Sequence, residues 1–370
     1  MSNMQHTILI GTGIVASLPL VPMGHFLCYG WPTRKGQIIS RFSNDAIALY
    51  RQTFYPLASY ENADQFNSEY DRRYGRHLFF FPVLAFVVTL FAASYLSVRW
   101  IAFHDWTSTD EGTAKISIFS LAGAYVWVTY DLILRVRQND VVTSDINRAT
   151  LRLLISLPFG FAISAFAGVV SGYGSDIKLS TGALAFFVGA FPTDSVLKFM
   201  RRTAGTVLKM DADANGDSIQ QLTKIDGVSG PIAERLIDEG VKTDLQLAYS
   251  DPITLTIKTG MDFSFILDCC GQALVRMYFN DQQMPVVLKF GLRTSIEVKT
   301  LHDVLSSYDN DVVIALALGA AAPARTLAQQ TAQNMLEEFA GALLMDTDSV
   351  RFILAQIADD PYTTFAVGIW

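Results

Sequence analysis

Residues 78–98 read LFFFPVLAFVVTLFAASYLSV, a run of 21 residues without a formal charge. A helix needs about 20 mostly apolar residues to cross the hydrocarbon core of a lipid bilayer. The run meets that length, and no residue in it requires a partner of opposite charge. The stretch therefore predicts a membrane-spanning helix and places the chain among mainly α-helical membrane proteins.

Three further apolar segments of similar length predict membrane-spanning helices at residues 116–136, 151–170 and 181–200. With the first they define a predicted transmembrane domain of about four helices over residues 78–202. A fifth segment, residues 8–30, is also apolar but contains Pro19 and Pro22. A span, a re-entrant piece and a buried arm all remain open for it. Residues 1–77 are interpreted as this arm followed by juxtamembrane helices on the cytoplasmic side.

The charge changes sign along the chain. Residues 1–209 hold 18 Lys and Arg against 13 Asp and Glu, whereas residues 210–370 hold 10 against 22. Basic residues lie before the first, between the second and third, and after the fourth predicted span: Arg72, Arg73, Arg76, Arg135, Arg137, Arg148, Arg152, Lys198, Arg201 and Arg202. Positive charge favours the cytoplasmic side of a membrane. The acidic C-terminal part is therefore predicted to be cytoplasmic.

Small residues recur at every fourth position of the third and fourth predicted spans, so they share one helix face. The series are Ser156, Gly160, Ser164 and Gly168, and Thr181, Ala185, Gly189 and Thr193. Close helix packing is one interpretation, and the lining of a water-filled pore in an oligomer is the other. Asp131 and Asp194 lie near the cytoplasmic ends of their spans. They are either locally paired charges or a ring of carboxylates at a pore mouth.

The cytoplasmic part divides by composition. Residues 203–218 are small and polar and are interpreted as a linker. Residues 219–280 contain KIDGVSGPIAERLIDEG, in which two glycines favour a tight turn and a proline favours the first turn of the next helix. Apolar residues on both sides of the turn are spaced as in amphipathic helices. Residues 281–370 are predicted to form a further α-rich domain.

The hairpin segment resembles a helix-hairpin-helix domain of the kind found in repair and recombination proteins. The matching residues are Ile225, Gly227, Val228, Gly230, Pro231, Ala233, Leu236, Gly240 and Val241, followed by LQLAYSDP at 245–252. The resemblance implies a site that holds a nucleic-acid phosphate on backbone amides, as the free amides of a helix N-terminus attract anions. The implied site residues are Lys224, Gly227, Val228, Ser229, Gly230 and Arg235.

One departure from that family leaves two interpretations open. DNA-binding members place a Lys or Arg just after the hairpin glycine, whereas this chain has Pro231 and Ile232. The negative charge of residues 210–370 also opposes non-specific binding of nucleic acid. The hairpin is therefore predicted either to bind nucleic acid or to be purely structural or oligomerising.

The sequence predicts neither an enzyme nor a metal or cofactor site. Its cysteines, Cys28, Cys269 and Cys270, form no CxxC pair, and the chain has no Walker A loop, HExxH or GxSxG motif.

The whole architecture is similar to the membrane effectors of nucleotidyltransferase-coupled anti-phage systems of the Hailong type. The resemblance implies a homo-oligomeric ion channel, such as a tetramer, in the bacterial plasma membrane. It further implies that a short single-stranded DNA oligomer, made by a nucleotidyltransferase encoded nearby, binds the cytoplasmic domain and controls the pore, whose opening kills the infected cell. The alternative is a membrane-tethered scaffold that recruits DNA or protein without conducting ions.

Overall fold

The structure, a computed structural model, describes residues 2–60, 62–103, 112–170, 177–190, 216–317 and 324–369. Within these ranges the chain forms helices and no strand. The mainly α prediction is therefore confirmed for the described part of the chain.

The helices of the N-terminal half are α1 (Ser2–His25), α2 (Trp31–Ile39), α3 (Asn44–Phe54), α4 (Ala63–Tyr74), α5 (Phe80–Phe103), α6 (Gly112–Arg137), α7 (Thr143–Val170) and α8 (Ile177–Ala190). A π-helical segment, Phe26–Gly30, joins α1 to α2, and a 3₁₀ segment, Arg76–Phe79, precedes α5. The helices of the C-terminal half are α9 (Gly216–Leu222), α10 (Gly230–Asp238), α11 (Asp244–Ala248), α12 (Pro252–Thr259), α13 (Phe263–Tyr278), α14 (Met284–Lys289), α15 (Ser295–Ala317), α16 (Leu327–Leu343), α17 (Thr347–Ala358) and α18 (Pro361–Ile369). The first of these begins within the predicted linker at 203–218, whose residues 203–215 lie outside the described residues.

Four helical stretches are long and apolar enough to cross a membrane: Gln5–Ile39, Ala63–Phe103, Thr113–Arg137 and Thr143–Ala165. Three of them contain or overlap the predicted spans at 78–98, 116–136 and 151–170. The fourth contains residues 8–30, the segment for which three interpretations were open. It is one continuous helical run, because its prolines are accommodated within α1 and the run continues through the π-helical segment.

The predicted span at 181–200 has a different outcome. Its first half forms a shorter apolar helix, Thr181–Ala190, and residues 191–200 lie outside the described residues. The described residues therefore contain four long apolar helices, as predicted, but one of them is Gln5–Ile39 and not the predicted span at 181–200. Apolar composition alone did not distinguish residues 8–30 from residues 181–200.

The chain divides into two compact units. The first unit comprises residues 1–37 and 71–212, and the second comprises residues 38–70 and 213–370. Residues 38–70, which the sequence analysis assigned to juxtamembrane helices after the N-terminal arm, thus belong to the same unit as the C-terminal half of the chain.

The core of the first unit is formed where α1, α5, α6 and α7 pack together. Phe86, Leu90, Leu121, Val128 and Leu153 are buried there. Other faces of the same helices expose large apolar side chains, among them Ile14, Val88, Tyr130, Leu154 and Phe161. Extensive exposure of apolar side chains is unusual for a surface in water and is expected for one that faces lipid.

The second unit has a large apolar core. One cluster joins α13 to α17 and includes Val287, Leu336, Phe339 and Leu354. A second, aromatic cluster holds residues 38–70 against the rest of the unit. Phe42 lies 5.2 Å from Phe66, 5.8 Å from Phe263 and 6.0 Å from Phe365, measured between ring centroids.

Candidate functional site

The segment that the sequence analysis compared with a helix-hairpin-helix domain begins with α9, a turn at residues 223–229 and α10. Gly227 has a φ of 86°, which L-residues rarely adopt. A Cβ on Gly227 would also lie 3.0 Å from the ring of Phe265 in α13. Glycine is therefore required at this position both by the backbone conformation and by the neighbouring ring.

Gln272 of α13 holds the turn in place through hydrogen bonds to the Asp226 backbone. Its side chain is buried, its Oε1 accepts from the Asp226 amide at 2.9 Å, and its Nε2 donates to the Asp226 carbonyl at 3.3 Å. Nε2 also donates to Asp268 at 2.8 Å. The sequence analysis did not identify Gln272. The only signal for it was a polar residue inside an apolar helix face, which does not reveal its partner.

The amides of the turn are not equivalent. Val228 is buried, and its N–H donates to the Ile225 carbonyl at 3.1 Å, so that amide is used within the turn. Ser229 precedes α10 in an extended conformation, and its side chain makes no capping hydrogen bond. Pro231 has no N–H. Of the predicted amides, that of Val228 is therefore used within the turn, and those of Ser229 and Gly230 lie at the N-terminus of α10.

Lys224 is exposed in the turn that follows α9, and its ammonium forms an ion pair with Asp281. Arg276 also donates to Asp281, at 2.8 Å, and lies 3.3 Å from Asp244. Hydrogen bonding to Lys224 lowers the pKa of Asp281 below its ordinary value, and burial raises the pKa of Asp244. Two cations thus face two carboxylates, so the charge that would attract a phosphate is balanced locally.

Arg235 lies in the second turn of α10, on the same short helix as Glu234 and Asp238. All three take part in polar or electrostatic contacts. Arg235 is therefore at the predicted site by sequence, but it is not an isolated positive charge on this helix.

Two glycines of the small-residue series lie at close contacts with α6. A Cβ on Gly160 would lie 2.3 Å from the Cα of Ser117, and one on Gly189 would lie 1.9 Å from the carbonyl oxygen of Ser120. Gly123 of α6 comes equally near the Phe186 carbonyl. Backbone approach this close is the geometry of small-residue helix packing.

The other members of the two series have mixed environments. Ser156, Thr181 and Ala185 are buried, and the Ser156 hydroxyl donates to the Leu153 carbonyl at 2.7 Å. Ser164 donates to the Thr113 hydroxyl at 3.1 Å. Gly168 lies in the last turn of α7. Thr193 and Asp194 lie outside the described residues.

Asp131 is part of an ion cluster. Its carboxylate lies 2.8 Å from Arg135 Nε, one turn further along α6. Arg135 also lies 3.0 Å from Asp145, at the start of α7. Within a single chain Asp131 is therefore a paired charge that helps to tie α6 to α7.

Arg152 is buried in α7, with 3% of its surface exposed. It donates to the Gly189 carbonyl near the end of α8 at 2.8 and 3.2 Å, and its guanidinium lies 3.9 Å from the centroid of the Trp127 ring. The sequence analysis counted Arg152 only as part of a basic flank. In the sequence Arg152 lies at the start of the predicted span at 151–170, so it looked like the other flanking basic residues. The structure begins α7 at Thr143 and so places Arg152 inside the helix, where a buried charge needs partners.

Among the described residues no group of three His, Cys, Asp or Glu side chains could hold a metal ion. Cys269 and Cys270 are buried in α13. Burial raises the pKa of Cys269 to about 12 and that of Cys270 further. Neither thiol has the low pKa of a reactive cysteine.

No family model matches this chain, and neither a curated protein nor a solved structure matches it, so the resemblance of residues 219–280 to a helix-hairpin-helix domain stays a prediction from the residues.

Proposed function

We propose that this protein is a homo-oligomeric ion channel of the bacterial plasma membrane, gated by a short single-stranded DNA oligomer bound to its second unit. The observation that carries the proposal is the combination in one chain of four helices able to cross a bilayer with a tight glycine turn that leads into a helix N-terminus. A helix N-terminus binds phosphate through its amides and its dipole without reading base sequence.

The charge of the second unit requires several copies of the site to act together. One hairpin offers few amides, and Lys224 is balanced by Asp281. Since each phosphate contact adds to affinity, an oligonucleotide that touches several subunits of a ring gains what one subunit cannot supply. The ligand would then bind one conformation of the ring more tightly than the other, which is what gating requires.

The proposed biological role is taken from the resemblance to the membrane effectors of Hailong-type anti-phage systems. DNA made by a nucleotidyltransferase encoded nearby would hold the channel in one state, and its loss during phage infection would open the pore and kill the cell. The second unit would lie on the cytoplasmic side of the membrane. Packing of α6 against α7 and α8 at glycines supplies a compact helix bundle for such a pore, with close packing and pore lining on different faces.

Single-channel recording on the full chain in planar bilayers tests the proposal. We expect conductance that changes when short single-stranded DNA is added to one side only. The matched variant is Gly227→Val, which distorts the hairpin turn and should abolish the response to DNA but leave conductance. A protein that conducts no ions with or without DNA would contradict the channel.

The alternative is a membrane-tethered scaffold in which the hairpin is structural. Pro231 at the hairpin and the balanced charge of Lys224 favour it. In that case DNA or a protein partner would bind without any conductance, or no nucleic acid would copurify with the detergent-extracted protein. Identification of what copurifies with the protein, whether a nucleotidyltransferase, short DNA or neither, distinguishes a scaffold that binds DNA from one in which the hairpin is only structural.

A further inference from the structure

Two cations of the first unit share one aromatic ring. Lys35 Nζ lies 5.7 Å from the centroid of the Trp31 ring, and the guanidinium carbon of Arg76 lies 5.2 Å from it. Lys35 belongs to α2, whereas Arg76 belongs to the 3₁₀ segment before α5. We name the three residues Trp31, Lys35 and Arg76 the Trp31 corner.

The Trp31 corner is fixed by the packing of two antiparallel helical runs. Phe26 and Phe79 are both buried, with ring centroids 5.9 Å apart. At the other end of the contact, a Cβ on Gly11 would lie 3.2 Å from Val98. Residues early in the first run lie beside residues late in the second run, as in an antiparallel pair. Trp31 and Arg76 therefore lie at the same end of the pair.

The exposed surface changes from apolar to charged at this level in both runs. Val21 and Tyr29 are exposed before Trp31, and Phe80 and Phe81 are exposed one turn after Arg76, Phe81 to 76%. A tryptophan and long basic side chains at such a transition are typical of the interface between hydrocarbon and lipid headgroups.

The charge at this level is positive. Lys35 donates to Asp71 at 2.6 Å. Residues 31–37 and 71–77 together hold five Lys and Arg, with Asp71 as their single acidic residue. Segments of this kind next to a membrane attract anionic lipids.

We propose that the Trp31 corner binds the headgroup of an anionic phospholipid, with its phosphate between Lys35 and Arg76 and its acyl chains against Phe80 and Phe81. The inference rests on the membrane insertion in the proposed function, but not on channel activity or on DNA. The exposed phenylalanines favour a lipid over free phosphate, because a free ion makes no use of them.

Native mass spectrometry of the full chain tests the site. Protein extracted in detergent is mixed with equal amounts of phosphatidylglycerol and phosphatidylcholine of the same chain length, and the ratio of the two bound lipids is measured. We expect a preference for phosphatidylglycerol that falls about fivefold in Arg76→Gln, as one cation near a lipid surface contributes roughly that factor. Arg76→Lys should keep most of the preference.

The matched control is Arg99→Gln, which removes the same charge from the far end of α5, where Arg99 is also exposed. It should leave the lipid ratio unchanged. Equal binding of both lipids, or an equal loss in both glutamine variants, would overturn the site. So would complete displacement of lipid by excess glycerol phosphate, since the site would then recognise phosphate alone. Recovery of the chain in the soluble fraction without detergent would instead overturn the membrane insertion itself.

Discussion

In the first unit α6 meets α7 and α8 at Gly160 and Gly189, where backbones touch, whereas the helices of the second unit meet through side chains such as Phe339 and Leu354. The first unit exposes much of its apolar side-chain surface, and the second buries most of its own. In water the burial of apolar area drives helices together. In lipid that drive is absent, and close backbone packing with buried polar contacts replaces it. The contrast supports lipid as the surroundings of the first unit.

The largest expected effect is in the second unit. Phe339 is fully buried beside Phe290, so Phe339→Ala should lower the free energy of unfolding by about 3–5 kcal/mol. The measurement is labelling of Cys269 and Cys270 in increasing urea, in a Cys28→Ser background, since both thiols are buried until the unit unfolds. Phe352→Ala, at a residue exposed to 66%, is the control and should cost little. Equal midpoints for the two variants would contradict the side-chain core.

The next effect is in the first unit. Arg152→Met keeps the length of the side chain but leaves the Gly189 carbonyl without its charged donor. Loss of a hydrogen bond to a charged group costs about 1.5–3 kcal/mol, and thermal unfolding in detergent, followed by tryptophan fluorescence, measures it. Arg137→Met, at an exposed position of α6, is the control. A higher melting temperature of Arg152→Met would show that apolar packing contributes more than this hydrogen bond to the stability of the first unit.

A somewhat smaller cost is expected from Gly189→Ala. Its Cβ would meet the backbone of α6 near Ser120, so the helices must separate, at about 1–3 kcal/mol. Gly13→Ala is the matched control, because a Cβ there meets nothing within 4 Å and alanine favours a helix. Equal melting temperatures for Gly189→Ala and Gly13→Ala would show that backbone contact does not stabilise this helix bundle.

The smallest effect concerns the charge around the hairpin. Asp281→Asn frees Lys224 from its ion pair and should raise the affinity for single-stranded DNA about two- to fivefold, because exposed pairs are worth little. Fluorescence anisotropy at low salt measures the change. Asp303→Asn, which removes an exposed charge paired with Lys299, is the control. Asp281 is ionised at neutral pH, and hydrogen bonding to Lys224 lowers its pKa below the ordinary value, so mild acid should not reproduce the effect.

The sequence predicted what depends on local spacing. The long apolar helices follow from runs of residues, and the turn at Gly227 follows from glycine and proline positions. Long-range partners could not be predicted in the same way. Nothing near Phe42 in the chain indicates that it packs on Phe263, and the Gln272 contact to Asp226 joins residues 46 positions apart. The buried role of Arg152 depends likewise on Trp127 and Gly189, from two other helices.

The π-helical segment Phe26–Gly30 sets the angular position of Trp31 and Lys35 relative to α1. A π turn contains an extra residue relative to an α turn, and one residue corresponds to about 100° around a helix axis. Because the π turn absorbs this extra residue, deletion of one residue within Phe26–Gly30 would restore an α turn and keep Trp31 and Lys35 on the side of Arg76. Insertion of a further residue there would instead turn both side chains by about 100° away from Arg76.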